Sequence, residues 1–167
     1  MPKFSTRTLT TMALLTALEI VLSRFLSISA WNTKIGFAFV PVALAAMLLG
    51  PVYAGIVGAL ADFVGAILFP VGAYFPGFTL TAFLMGACYG LFLHKKQSFL
   101  RILGAVALHQ LALSLLLNTL WISILYGSPF YPLLLSRLPQ CAILGAVQLV
   151  VIPLLAKLLP QLKGSLQ

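Results

Sequence analysis

The sequence predicts an all-α polytopic membrane protein: a bundle of six transmembrane helices with both termini on the cytoplasmic side. Three observations carry this expectation. Hydrophobic residues make up 62% of the 167 and charged residues 7%, whereas a soluble domain carries about 25% charged residues on its water-facing surface. Apolar runs of about 20 residues, enough to cross a bilayer as a helix, recur from end to end. At about 25–28 residues per helix and turn, the chain holds six spans and leaves no room for a soluble unit, so residues 1–167 form one domain.

Helix 1 is expected from about Arg7 to Leu26, followed by a polar stretch from Ser27 to Lys34. The chain start resembles a signal peptide, but Glu19 and Arg24 inside the apolar run fit a cleaved leader poorly, and it reads as a first membrane helix. Helix 2 covers about Ile35 to Leu49, short for a span and interrupted by Pro41. Gly50-Pro51 makes a tight turn into helix 3, Val52 to Phe69. Residues 70–76, bracketed by prolines, read as an aromatic loop before helix 4, Gly77 to Leu93. Helix 5 runs from about Phe99 to Leu125. A proline-rich loop then extends to Leu138, and helix 6 opens on Pro139 and ends near Lys157.

The net charge of +8 reads as topology rather than nucleic-acid binding, because no basic domain or polar groove exists to hold a phosphate backbone. Lys3, Arg7, Lys95, Lys96, Arg101, Lys157 and Lys163 share one side of the six-helix arrangement, and Arg24, Lys34 and Arg137 share the other. The side richer in lysine and arginine faces the cytoplasm.

Signatures of an enzyme are missing. No GxxxxGK[ST] loop cradles a nucleotide, and no Cys/His cluster has metal-ligand spacing, so no cofactor is expected. Cys88 and Cys141 read as small apolar packing residues at different depths, not a disulfide. The two carboxylates, Glu19 and Asp62, fall inside helices, where ionised groups are costly and are either paired or functional. A proton relay is one reading; the favoured one has the two carboxylates accepting hydrogen bonds from polar helix side chains or pairing with Arg24, which Glu19 could meet across about one and a half helical turns. Small residues one turn apart at Ala13–Ala17, Ala54–Gly58, Ala61–Gly65 and Gly86–Gly90 allow close helix approach, within the bundle or against a partner.

The outer side is richer in recognition chemistry. Arg24 and Lys34 flank a loop with Trp31 and Asn32, and the aromatic loop supplies Tyr74 and Phe75. Asn118, Trp121 and Tyr126 lie at the end of helix 5, and Arg137 and Gln140 at the start of helix 6. An interfacial aromatic belt accounts for some of these rings. Three cations and three amides beside turn-rich loops describe instead a small-molecule pocket favouring an anionic ligand.

The strings RFLSIS (24–29), GFAFVPVALAAMLLGP (36–51), GALADFVGAILFP (58–70), YFPGFTLTAFLMGACYGLFL (74–93) and LNTLWISILYG (117–127) resemble the substrate-binding S component of energy-coupling factor (ECF) vitamin transporters, most of all its folate-specific branch. That resemblance implies a bacterial multi-pass membrane protein that is not an enzyme. It would bind folate or a related pterin at the outer face, and partner with a transmembrane coupling subunit and two cytoplasmic ATPases. Ala13 and Ala17 match the family's AxxxA contact with the coupling subunit. The candidate ligand-binding set is Arg24, Trp31, Lys34, Phe75, Asn118, Trp121, Arg137 and Gln140. Alternatives are an S component for another vitamin, a self-contained proton-coupled carrier, and a membrane enzyme acting on lipid head groups. The last would need an acidic cluster at the cytoplasmic interface.

Overall fold

The structure, a computed structural model, describes residues 6–30 and 33–165, with side chains described over 6–27 and 35–160. Helix α1 (Thr6–Arg24) leads into a hairpin of β1 (Ser27–Ala30) and β2 (Thr33–Gly36). Helices α2 (Phe39–Leu49), α3 (Pro51–Leu68) and α4 (Pro76–Leu93) follow. A continuous rod α5 (Phe99–Tyr126) contains a π-helical stretch, Leu108–Leu117, and α6 (Phe130–Ser165) completes the chain. Among the described residues, four helices are long and apolar enough to cross a membrane: α3, α4, α5, and α6 over Phe130–Pro160.

The hairpin departs from an all-helical chain. The strands pair antiparallel with Ser27 opposite Gly36 and Ala30 opposite Thr33. A Cβ on Gly36 would stand 2.6 Å from that of Ser27, so glycine is what lets the strands close at this register. Because Ile35 and Gly36 belong to β2, α2 begins at Phe39 rather than at Ile35, and Pro41 falls in its first turn, where no intrahelical bond is lost. Helix α2 is about 16 Å long. Val42, Ala43, Ala45, Ala46 and Met47 have no exposed surface, so it is a core helix, apolar all round.

The start of α6 is a second correction. The stretch expected as loop up to Leu138 is helical from Phe130, and Pro139, Pro153 and Pro160 lie inside the helix. Each proline removes one backbone bond, and neighbouring helices and local adjustment re-satisfy the freed groups in an apolar bundle.

Helices α3 and α4 pack most closely of all. A Cβ on Gly58 would come within 2.6 Å of the Ala82 carbonyl, and one on Gly55 within 2.8 Å of the Phe83 ring. Gly86 sits against the Ala54 backbone and Gly90 against Pro51. The small residues here serve internal packing. Those of α1 do not: it buries Met12, Leu15, Glu19 and Ser23, while Ala13 and Ala17 stand exposed on another face beside Leu14 and Leu18. Leu91, Leu100, Leu111, Ile143 and Val150 are likewise more than half exposed, an apolar exterior suited to acyl chains.

The two ends of the bundle differ. At one end the α2–α3 corner at Gly50 (φ 97°) lies against His94, and Gln97 and Phe99 lie near Pro153 and Lys157. Lys95, Lys96, Arg101 and Lys157 are exposed there. The opposite end, where α1 and α3 finish and α4 begins, holds a cavity.

Candidate functional site

The cavity has a volume of about 360 Å³, at the lower end of the range for small-molecule pockets. Its roof is the α3–α4 connection, where Gly72, Tyr74 and Phe75 line it, and its walls come from α1, α3, α4, α5 and α6. Phe75 takes an extended conformation ahead of Pro76, the geometry a residue before proline prefers, and Pro76 opens α4 as a first-turn proline. The Phe75 ring is thereby held beside the helix start. It packs edge-on against Phe78 (centroids 6.2 Å apart) and tilted against Trp121 (5.6 Å).

Arg24 ends α1, where a cation meets the negative end of the helix dipole. Its guanidinium lies across α3 at Gly65, where a Cβ would approach Nε to 2.9 Å. Nη2 donates to the Asp62 carbonyl oxygen (3.4 Å) and stands 3.9 Å from Asp62 Oδ1. Of the two carboxylates that sequence offered as partners for Arg24, the structure gives it an ion pair with Asp62 on α3 and none with Glu19. Residues five apart on a helix point about 140° apart, whereas side-chain neighbours lie three or four apart. Asp62 Oδ2 accepts from Thr79 Oγ1 (2.8 Å), and Thr79 also bonds the Tyr74 hydroxyl (3.2 Å). The polar chain Arg24–Asp62–Thr79–Tyr74 thus ties α1, α3, α4 and the roof together.

The π-helical stretch of α5 shapes the opposite wall. His109 and Asn118 both line the cavity although nine residues separate them. In a regular α-helix that separation is two and a half turns, which puts them on opposite faces. Bonds from i to i+5 widen each turn, so nine residues make about two turns and bring both side chains to one face. Regular geometry resumes at Asn118, and Ile122 and Tyr126 continue the lining at four-residue steps. His109 is anchored from behind. The Tyr89 hydroxyl donates to Gln148 Oε1 (3.0 Å) and, its proton so committed, accepts from His109 Nδ1 (3.0 Å). Tyr89 and Gln148 are fully buried, so this bond set fixes the deep end of the cavity across α4, α5 and α6.

Arg24, Phe75, Asn118 and Arg137 line one cavity. The Asn118 Oδ1 atom is buried without a hydrogen-bond partner; such an atom is stabilised when a ligand donor reaches it. Trp121 stands behind Phe75, with its Nε1–H donated to Thr81 Oγ1 (3.0 Å), and Thr81 itself lines the cavity. Gln140 is buried on α6 and is not among the lining residues. Trp31 lies outside the described residues. Lys34 is described by its backbone alone, in β2 opposite Ser29. Asp62, Thr81, Met85 and His109 are lining residues absent from the sequence-derived set. Asp62 was legible as a costly intrahelical carboxylate; His109 was not, because an α-helical period points it away from Asn118. Among the described residues no group of three or more His, Cys, Asp or Glu side chains could hold a metal ion. Cys88 and Cys141 are free and buried, against Ala105 and Ser114 respectively.

Comparison with known proteins places the chain in a family and agrees with its fold. Residues 7–156 match the family described as "ECF transporter, substrate-specific component". The chain is 46% identical over 142 residues to the folate transporter FolT of Clostridium novyi (strain NT), covering 84% of this chain and 83% of that protein. It is 38% identical over 127 residues to FolT of Leuconostoc mesenteroides subsp. mesenteroides, covering 75% and 68%. Among solved structures, it superimposes on the crystal structure of FolT bound with folic acid with a TM-score of 0.86 at 38% identity, covering 90% of this chain and 93% of that one. It also matches the S component of a bacterial ECF transporter, with a TM-score of 0.70 at 25% identity, covering 93% and 96%. The chain belongs to the family of ECF transporter substrate-specific components.

Proposed function

We propose that this chain is the folate-binding subunit of an ECF-type transporter in the bacterial cell membrane. It captures folate or a reduced folate at the outer face for ATP-driven uptake by partner subunits. The observation that carries this reading is the cavity itself. Aromatic rings at Tyr74, Phe75 and Phe78, two guanidinium groups and an unpartnered Asn118 amide oxygen meet in one space. Its chemistry suits a flat heteroaromatic ring system joined to a carboxylate-bearing tail. Relatives at 46% and 38% identity that are folate transporters favour folate over another vitamin.

In this reading the chain crosses the membrane six times, the short α2 being extended across the bilayer by the strand β2 and turn that lead into it, with both termini inside, since the exposed lysines and arginines gather at the end away from the cavity. The ligand set is Arg24, Trp31, Lys34, Phe75, Asn118 and Arg137, with Trp121 acting as the support behind Phe75 and Gln140, outside the lining, serving the wall from within α6. Arg137 and Lys34 meet the glutamate carboxylates, and Arg24 serves the ring end. ATP hydrolysis belongs to two cytoplasmic subunits that act through a transmembrane coupling subunit. The exposed face bearing Ala13 and Ala17 supports a role as the close-approach surface for that partner.

Titration of the purified protein in detergent with folic acid tests the reading. One molecule should bind per chain, with riboflavin, thiamine and biotin binding at least about a hundredfold more weakly, a gap of roughly 2.7 kcal/mol. Preference for any of those three over folate would overturn it.

A further inference from the structure

At the end of the bundle away from the ligand cavity, a groove of about 310 Å³ lies between the start of α5 and the later part of α6, lined by Gln97, Phe99, Ile102, Pro153, Ala156 and Lys157. Residue spacing explains it. Phe99 and Ile102 are three apart and share a face of α5, while Pro153, Ala156 and Lys157 are three and four apart and share a face of α6. Pro153 and Ala156 are short side chains, and they leave the space beside Phe99 and Ile102 unfilled. Leu100, Leu154 and Leu158 on the flanking positions are 76%, 52% and 49% exposed, a surface suited to acyl chains rather than water.

The polar groups around this groove carry one sign. Lys95, Lys96, Arg101 and Lys157 are all exposed. The chain has two acidic side chains, and neither lines the groove: Glu19 is buried in α1, and Asp62 stands beside Arg24 in the ligand cavity. The start of α5 adds to the same sign, since its first turn holds no acidic residue and Ser98 at the cap position makes no side-chain bond to the free N–H groups there. Gln97 is already engaged, its amide donating to the Leu93 carbonyl oxygen (2.7 Å). The positive-inside bias explains why cations gather at this end. It does not explain an apolar groove with a lysine among its lining residues.

We propose that this groove is a binding site for one anionic phospholipid of the cytoplasmic leaflet. An acyl chain lies along Phe99, Ile102, Pro153 and Ala156, and the headgroup phosphate meets the Lys157 ammonium. Lys95, Lys96 and Arg101 supply a surrounding positive field. A zwitterionic headgroup carries its own cation beside the phosphate, which that field opposes, so a net negative headgroup is selected. A soluble anion would gain nothing from the apolar groove, and an acidic peptide would leave the flanking leucines uncovered. The proposal takes from the reading above only the orientation in the membrane, and its site lies at the opposite end from the ligand cavity.

Native mass spectrometry of the full chain in detergent, titrated with dioleoylphosphatidylglycerol or dioleoylphosphatidylcholine, tests it. One phosphatidylglycerol should be retained per chain, at least about fivefold more tightly than phosphatidylcholine, the factor expected for a lysine at an anionic headgroup. Lys157→Gln should abolish most of that preference. Ala156→Leu, which fills the groove, should weaken both lipids, and Lys96→Gln, outside the lining, should change retention by no more than about twofold. The unfolding midpoint in detergent checks that each variant is folded, independently of folate. Equal retention of the two lipids by wild type would overturn the proposal with no variant needed. Equal losses in Lys157→Gln and Lys96→Gln would overturn it in favour of a diffuse basic surface. Displacement of the lipid by millimolar inorganic phosphate would make this a site for a soluble anion. Loss of co-purification with a coupling subunit in Lys157→Gln, with lipid retention unchanged, would make it a protein contact, and either result would overturn the lipid assignment.

Discussion

Replacing Gly77 with alanine would drive one methyl group between the two rings that back the cavity. A Cβ built on Gly77 lies 2.6 Å from Trp121 Cδ2 and 2.7 Å from Phe75 Cε1, whereas carbon atoms in contact sit at about 3.5–4.0 Å. Both rings would have to retreat by about 0.8–0.9 Å. Trp121 is tethered through its Nε1–H to Thr81, which in turn donates to the Gly77 carbonyl, so Phe75 yields first, at the cavity wall. Overpacking of this kind costs about 1–3 kcal/mol. Expressed at the site, it predicts folate affinity lower by roughly 5- to 100-fold. Titration calorimetry on the detergent-solubilised protein measures this, alongside quenching of tryptophan fluorescence, with Trp121→Phe identifying which of the two tryptophans reports. Gly145→Ala is the control, because its added Cβ would find Gln110 Cγ at an ordinary 3.6 Å, and affinity should stay within about twofold while the helix gains up to ~1 kcal/mol of propensity. Wild-type affinity and quenching in Gly77→Ala would refute the ring-backed cavity as the binding site.

Three further outcomes follow from the same structure. Replacing Ala13 and Ala17 together with leucine should abolish co-purification with the coupling subunit and leave folate binding by the isolated chain intact; loss of binding with intact assembly would reassign that face. Arg137→Ala or Lys34→Ala should weaken folate roughly 10-fold or more while affecting pteroate, which lacks the glutamate, much less, and Arg24→Ala should weaken both ligands alike. Equal losses for the two ligands in all three variants would exclude charge recognition of the tail. A reporter fused after Gln167 should be active only in its cytoplasmic form, and an exterior signal would rule out an even number of spans with both termini inside.

Much of this architecture is legible in the sequence because apolar length sets a membrane helix almost by itself, and α3, α4 and α5 fall within a residue or two of where hydropathy puts them. Proline and short-range pairing are where linear reading fails. Pro139 looks like a helix start from local chemistry alone, yet tertiary packing carries α6 through it from Phe130. The Ser27–Gly36 hairpin is too short and polar to announce itself by period. Within the site, Arg24, Phe75, Asn118 and Arg137 could be grouped because each lies near the same end of a helix. The Arg24–Asp62 pair spans 38 residues and two helices, and it depends on Gly65 leaving room, which no periodicity encodes. His109 was hidden for a different reason: it reaches the cavity through a π-helical stretch, and a period of 3.6 residues assigns it to the far face.

The central claim is that this chain captures folate and relies on partners for energy. Reconstitution into proteoliposomes with labelled folate outside addresses it most directly, with the chain alone and then with a coupling subunit and two ATPases loaded with ATP inside. Accumulation should occur with the full assembly and ATP, and the chain alone should bind folate without transporting it, even under an imposed proton gradient. Accumulation by the chain alone under that gradient would contradict the account and make it a self-contained carrier.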